Sequence, residues 1–285
     1  MKKIAYFFVN ILVIAISLFF IKLSNFSILR DFNVGVLASL LAIILLIHII
    51  KFLRFYFILL EEKMTIPNAL RLYVKTTFVS ILIPFKLGEV FKMYCIAHKT
   101  NDYRKGISAV LIEKFFDAIM VLSSFAICVL LGGSPQFNIL VAILVIFMLF
   151  FVLFYLFFGS TYEYMNRFFM SKSSGKKSLN SLKALERLNN FHKSLQKLLR
   201  GRQLTIFILT FLSWALEFVF VSLVQNGLRV EMDFNGFVSY ISGAFIGEQG
   251  IVVMYYICSC IIVLMSALII SYALKLLSLR GRSSK

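Results

Sequence analysis

The sequence predicts an all-α polytopic membrane protein with about six full transmembrane helices and one or two short re-entrant segments. Hydrophobic residues make up 60% of the 285 residues, and the mean hydropathy is +0.91. Charged residues account for only 15% and occur in a few clusters. A soluble domain could not bury this much apolar surface. We therefore expect a single integral membrane domain over residues 1–285.

The distribution of basic residues predicts the orientation of the chain. The formal net charge is +17, yet the predicted outer loops carry only Lys22, Arg30 and Arg229. This is the positive-inside pattern, which places both termini in the cytoplasm and the protein in the cytoplasmic (inner) membrane. The basic inner face favours anionic membrane lipids as partners rather than nucleic acid. Homo-oligomer formation is left open.

Six apolar runs are long enough to cross the membrane as helices. The first follows Met1-Lys2-Lys3 and has no small-residue cleavage site after it, which favours an uncleaved helix over a signal peptide. We interpret Lys51 and Arg54 as the cytoplasmic end of the second run, and Gly132 and Gly133 as part of the loop after the third. The predicted spans are 4–21, 34–50, 106–132, 138–158, 204–224 and 251–274.

Two further apolar runs, 76–85 and 234–246, are too short to span as helices. Basic residues flank the first run on both sides, which indicates that the chain returns to the side it left. The charge pattern predicts that the first run enters the membrane from the cytoplasmic side and the second run from the outer side. Each run is closed by a Gly-Glu pair, at Gly88-Glu89 and Gly247-Glu248. Two such segments of opposite entry are consistent with an inverted repeat, as found in transporters, and the alternative is that the two Gly-Glu pairs arise by chance.

Residues 160–202 are predicted to form a basic cytoplasmic loop that contains an amphipathic helix. Its apolar residues recur at spacings of three and four, with basic residues on the other face. We expect this helix to lie on the inner membrane surface, and a soluble coiled-coil partner is the alternative. The apolar positions are Leu179, Leu182, Leu185, Leu188, Phe191, Leu195 and Leu198.

Acidic residues inside apolar segments are candidate functional residues, because a charge in lipid is costly. Glu113 and Asp117 share one helix face, and Lys114 can pair with Asp117. The alternative is that such pairs only hold helices together. The acidic candidates are Glu89, Glu113, Asp117, Glu217 and Glu248, and their candidate basic partners are Arg71, Lys86 and Lys114.

These residues also suit binding of an anionic substrate. A break in the helical segment near Gly88 would leave backbone N–H groups without intrahelical acceptors, and these groups could bind a phosphate. Arg71, Lys86 and Lys92 could add positive charge. A lipid phosphate head group fits this chemistry better than a soluble metabolite does. The alternative is that positive-inside topology explains most of the Lys and Arg residues without any ligand.

No catalytic residue, metal site or cofactor is predicted. The sequence contains no phosphate-binding loop, nucleophile-elbow or zinc-protease motif. Cys258 and Cys260 form a C-x-C pair within an apolar run, which favours packing over metal binding. His48, His98 and His192 are scattered without the spacing of metal ligands. For His48 a snorkelling or interfacial location is preferred, and a proton-handling role is the alternative.

The run from Pro84 to Glu89 (PFKLGE), followed by Glu113 to Asp117 (EKFFD), resembles the transmembrane region of lysylphosphatidylglycerol synthase/flippase proteins. The family pattern is Pro-x-Arg-x-Gly-Glu and then Glu-Arg-x-x-Asp, with Lys86 and Lys114 here in place of Arg. An arginine at the end of the second predicted span, here Arg54, is also consistent with the sequence pattern of the family. In the second half, only the run Gly247-Glu248-Gln249-Gly250 remains of the family's Pro-Gly-Gly-x-Gly-x-x-Glu pattern.

The resemblance implies lipid translocation or handling of a lipid-linked glycan. No aminoacyltransferase domain is expected, and therefore no lysyl transfer. Three hypotheses follow. The first is a flippase or transporter that moves an anionic phospholipid or a polyprenyl-phosphate-linked glycan. The others are a membrane-embedded enzyme acting on a polyprenyl-phosphate lipid and an accessory protein of glycan or envelope assembly.

Overall fold

A computed structural model describes residues 33–82, 87–131, 138–172, 176–227, 236–241 and 250–283. Nearly all of these residues are helical, and no strand occurs among them, which confirms the all-α prediction. A 3₁₀ turn (Leu60–Glu62) and a short helical segment (236–241) supplement the longer helices. The longer helices are α1 (Val34–Ile58), α2 (Ile66–Leu82), α3 (Leu87–Thr100), α4 (Tyr103–Leu130), α5 (Asn138–Lys172), α6 (Lys176–Leu199), α7 (Gln203–Gly227) and α8 (Gly250–Ser283).

Three helical stretches in the described part of the chain are long and apolar enough to cross a membrane, which supports a multi-pass membrane protein. They are Val34–Ile58, Ile139–Ser171 and Gln203–Gly227, and α8 contains a shorter apolar run, Met254–Ile270. The predicted third span forms α4, which carries three charged residues within its apolar sequence. The predicted first span lies outside the described residues, so the count of six stays a prediction.

Two helices continue well beyond the spans predicted from the sequence. Helix α1 runs past residue 50 to Ile58, and α5 runs past residue 158 to Lys172. Neither extension contains a proline, so nothing in the local sequence forces the helix to stop. Lys51 and Arg54, interpreted as the cytoplasmic end of the second span, both lie inside α1. Where the membrane border lies along this helix stays a prediction. The first part of the predicted loop 160–202 is likewise helical.

The chain divides into two compact units. One is drawn from Met1–Leu53, Thr65–Lys92 and Leu212–Lys285, and in it α2 packs against α8. The other is drawn from Arg54–Met64 and Met93–Phe211, and in it α6 packs against both α4 and α5. A single membrane domain over residues 1–285 stays a prediction.

The amphipathic helix forms where it was predicted, as α6, but much of its apolar face packs against protein. Leu195, Leu198 and Leu199 are buried, because α6 contacts α4 and α5. Leu179 and Leu188, nearer its N-terminus, are exposed. Contact with the membrane surface stays a prediction, and it concerns the exposed part of the helix.

A tight turn joins α3 to α4 and determines where α4 begins. Asn101 adopts the left-handed conformation (φ 53°), which asparagine tolerates better than most residues. Asp102 then caps α4, its carboxylate accepting a hydrogen bond from the Arg104 backbone N–H at 3.0 Å. At Gly106, a Cβ atom would overlap the Met93 carbonyl oxygen. Glycine there allows α3 and α4 to pack closely.

Replacing Asp102 by Ala is expected to lower the free energy of unfolding by about 1 kcal/mol, because one N–H group at the start of α4 loses its acceptor. Thermal unfolding in detergent measures the change. Asp102→Asn is the matched control, since asparagine also caps helices, and it should stay close to wild type. An Ala variant as stable as wild type would show that the cap contributes nothing.

Candidate functional site

A buried arginine and two carboxylates form an ion-pair cluster, hereafter the Arg54 cluster. The side chain of Arg54 is only 2% exposed. Its Nη1 lies 2.6 Å from Asp117 Oδ1, and its Nη2 lies 2.8 Å from Glu113 Oε1. Arg54 Nη1 also donates to the Thr210 hydroxyl at 3.2 Å, and that hydroxyl donates to the Ile206 carbonyl at 2.7 Å.

Helix geometry explains how the two acids reach one guanidinium. Glu113 and Asp117 are one turn apart on α4, so their side chains leave the same face of the helix. The planar guanidinium presents several N–H donors and can bind both carboxylates together. One positive and two negative charges leave the three side chains with a formal charge of −1, and Lys114, beside Glu113 on α4, supplies a second positive charge nearby. Pairing of this kind is the condition under which ionised groups are tolerated away from water.

A second buried pair joins Lys51 of α1 to Glu217 of α7, hereafter the Lys51 cluster. Lys51 Nζ lies 2.6 Å from Glu217 Oε1 and 3.0 Å from the Tyr255 hydroxyl. The Tyr240 hydroxyl faces the other Glu217 oxygen at 3.5 Å. The Glu217 side chain is 7% exposed and that of Lys51 is 26% exposed. In the Lys51 cluster, one cation is therefore matched by one carboxylate.

The structure brings three of the predicted acids into ion pairs, with cations that were not proposed as their partners. Glu113 and Asp117 pair with Arg54, and Glu217 pairs with Lys51. These contacts join positions 59 and more residues apart in the chain, so no local spacing could indicate them. The available signal was a basic residue within an apolar helix, which is a functional candidate for the same reason as an acid.

His48 was interpreted as a snorkelling or interfacial residue, and in the structure it is packed inside the protein rather than extended towards water. Its side chain is buried, with 8% exposure. Its Nδ1 lies 3.1 Å from the Tyr73 hydroxyl, which links α1 to α2. A hydrogen bond to tyrosine supplies the polar contact that an interfacial histidine would find in water.

Gly88 lies where α3 meets α2, beside the predicted break in the chain. A Cβ atom at Gly88 would overlap the Ser80 backbone, with Ser80 Oγ and Cβ at 2.7 and 2.8 Å. The two helices therefore approach as closely as glycine allows. Glu89 lies in the first turn of α3, where a carboxylate interacts favourably with the helix dipole.

Replacing Gly88 by Val is expected to lower the free energy of unfolding by about 1–3 kcal/mol, because the added atoms require the backbones of α2 and α3 to separate. Thermal unfolding in detergent measures this. Gly35, around which a Cβ atom meets nothing within 4 Å, is the matched control position. Adding Ser80→Gly should restore only part of the loss, since the closest overlap is with the Ser80 Cα atom. A Gly88→Val protein as stable as wild type would contradict this packing.

The remaining predicted residues are distributed differently. Lys114 is half-buried on α4, one position from Glu113. Arg71 is exposed on α2, where it lines a cavity against α8. Lys86 and Glu248 lie outside the described residues. Among the residues that the structure does describe, no group of three or more His, Cys, Asp or Glu side chains is arranged to hold a metal ion.

Comparisons with known proteins identify the family. The family model described as the lysylphosphatidylglycerol synthase TM region matches residues 7–248. The matched range contains the residues of the Arg54 cluster as well as Lys51, Glu217 and Tyr240 of the Lys51 cluster. Searches of curated proteins and of solved structures each found no match.

Proposed function

Because the chain belongs to the lysylphosphatidylglycerol synthase TM region family, we propose that it is a lipid flippase of the cytoplasmic membrane. Its substrate would be an anionic phospholipid or a polyprenyl-phosphate-linked glycan. The observation that carries the proposal is the Arg54 cluster, in which a guanidinium only 2% exposed lies between two carboxylates. A charge buried in a membrane protein is costly, so such residues are candidates for the path of a polar substrate.

Exchange of ion-pair partners is the proposed mechanism. A lipid phosphate presents several acceptor oxygens, as a carboxylate does, and arginine binds both in a bidentate manner. The phosphate of a substrate lipid would replace one carboxylate at Arg54 and later be displaced by it. Arg54 would thus remain paired throughout, and a displaced Asp117 carboxylate would have Lys114, one turn away on α4, as its alternative partner.

The same contacts favour transport over catalysis. In the hypothesis of a membrane-embedded enzyme, Glu89, Glu113 or Asp117 would act as a base or bind a metal. Glu113 and Asp117 are instead both engaged by Arg54, at 2.8 and 2.6 Å. In the proposed arrangement six helices cross the membrane and both termini are cytoplasmic, so that the basic residues face anionic lipid head groups.

The flippase proposal is tested with purified protein in liposomes that contain fluorescently labelled phosphatidylglycerol. Wild type should move labelled lipid between leaflets, and Asp117→Asn should slow this at least tenfold, because Arg54 loses one of its two charged partners. Glu186→Gln, which alters an exposed acid on α6, is the matched control and should transport normally. Unchanged transport in the Asp117 variant would contradict the site. A lipid of altered mass after incubation would indicate an enzyme instead.

A further inference from the structure

A cavity of about 280 Å³ lies between α2 and α8. Its apolar wall is formed by Val74 and Phe78 from α2, with Leu264, Ala267 and Ile270 from α8. Two cations, Arg71 and Lys75, complete the lining. The volume is at the lower end of the range for small-molecule sites, so it suits a head-group phosphate with part of one acyl chain rather than a whole lipid.

Helix periodicity places the two cations together beside the apolar wall. Arg71 and Lys75 are one turn apart on α2, and Val74 and Phe78 continue the same face. Both cations are exposed. The Lys75 ammonium also lies 5.6 Å from the centre of the Phe91 ring, a cation–π contact that orients it. The result is an apolar slot whose lining includes two positive charges.

These two cations differ from the cations of the ion-pair clusters. Arg54 and Lys51 are each matched by carboxylates at 2.6 Å. Within the described ranges, no carboxylate forms an ion pair with Arg71 or Lys75. An apolar slot that carries unmatched positive charge is complementary to an amphiphilic anion.

We propose that this cavity is a docking site for an anionic phospholipid. The phosphate lies between the Arg71 guanidinium and the Lys75 ammonium, and an acyl chain lies against Phe78, Leu264 and Ala267. A soluble anion would gain the charge contacts but would leave the apolar wall exposed, so the lipid is the occupant that satisfies both halves of the site. The inference rests on the proposed function for its lipid class, but it concerns binding rather than movement.

Binding is measured by native mass spectrometry of the full chain in detergent, titrated with phosphatidylglycerol and separately with phosphatidylcholine. Wild type should bind phosphatidylglycerol at least tenfold more tightly, and the double variant Arg71→Gln/Lys75→Gln should lose that preference. The double variant Lys183→Gln/Arg187→Gln is the matched control, because it removes an exposed basic pair with the same spacing from α6. It should bind as wild type does.

Ala267→Trp fills the slot and should weaken phosphatidylglycerol binding, whereas soluble glycerophosphate should not compete. Equal affinity of wild type and the Arg71/Lys75 variant, an equal loss in the control, or competition by glycerophosphate would each overturn the inference. Preferential binding at this site without transport in liposomes would contradict the flippase proposal and leave the docking site standing. Transport in liposomes, with no preference for phosphatidylglycerol that depends on Arg71 and Lys75, would contradict the docking site and leave the flippase proposal standing.

Discussion

Replacing Arg54 by Gln is expected to lower the free energy of unfolding by about 3–5 kcal/mol, the largest effect of any single substitution considered for this chain. The guanidinium is 2% exposed and lies within 2.8 Å of both Glu113 and Asp117. Removing it leaves two neighbouring carboxylates, which repel each other and have little water to solvate them. Thermal and denaturant unfolding of the purified protein in detergent measure the loss.

The triple variant Arg54→Gln/Glu113→Gln/Asp117→Asn separates charge from packing. It removes all three charges and keeps the volumes of the two acids, while glutamine is shorter than the arginine it replaces. No charge of the cluster is then left without its partner, which is the main cost of removing Arg54 alone. We therefore expect it to regain most of the stability that Arg54→Gln loses. If the single and the triple variant were equally destabilised, the loss would come from shape or hydrogen bonding rather than from unpaired charge.

Replacing Lys51 by Met is expected to lower the free energy of unfolding by about 3 kcal/mol, because Glu217 then loses its cation in a site where it is 7% exposed. The effect should be smaller than at Arg54, since Lys51 is 26% exposed and water already screens part of the pair. The same unfolding measurements compare the two variants.

The double variant Lys51→Met/Glu217→Gln is the control for this pair. Glutamine can still accept a hydrogen bond from the Tyr240 hydroxyl, and no charge is left unmatched. Most of the lost stability should return. If the double variant were less stable than Lys51→Met alone, the Glu217 carboxylate would contribute more stability through other contacts than through its pair with Lys51.

The general class and the acidic members of the site could be predicted from the sequence, whereas the pairing of charges could not. Glu113, Asp117 and Glu217 stand out because each interrupts an apolar run. Their partners depend on which helices pack together, and Arg54 is 63 residues from Asp117 in the chain. The spacing of i,i+3 neighbours on a helix predicted Lys114 as the partner of Asp117. The partner that tertiary packing brings to Asp117 is Arg54.

The ends of the helices could not be predicted from the charge pattern, for a related reason. Lys51 and Arg54 were interpreted as the end of a span, because basic residues usually mark the cytoplasmic border. The helix α1 nevertheless continues for four residues after Arg54 and ends at Ile58. A cation in a long apolar helix can mark a membrane border, form a buried ion pair or do both, and the acids on α4 and α7 show the ion pairs.

Transport by the charge-neutral triple variant tests the central claim most directly. The claim is that the charges of the Arg54 cluster are needed for lipid transport and do not only hold the helices together. Liposomes reconstituted with Arg54→Gln/Glu113→Gln/Asp117→Asn, once its unfolding shows a stability close to wild type, should move labelled phosphatidylglycerol at least tenfold more slowly than wild type. Transport at the wild-type rate by this stable variant would contradict the account.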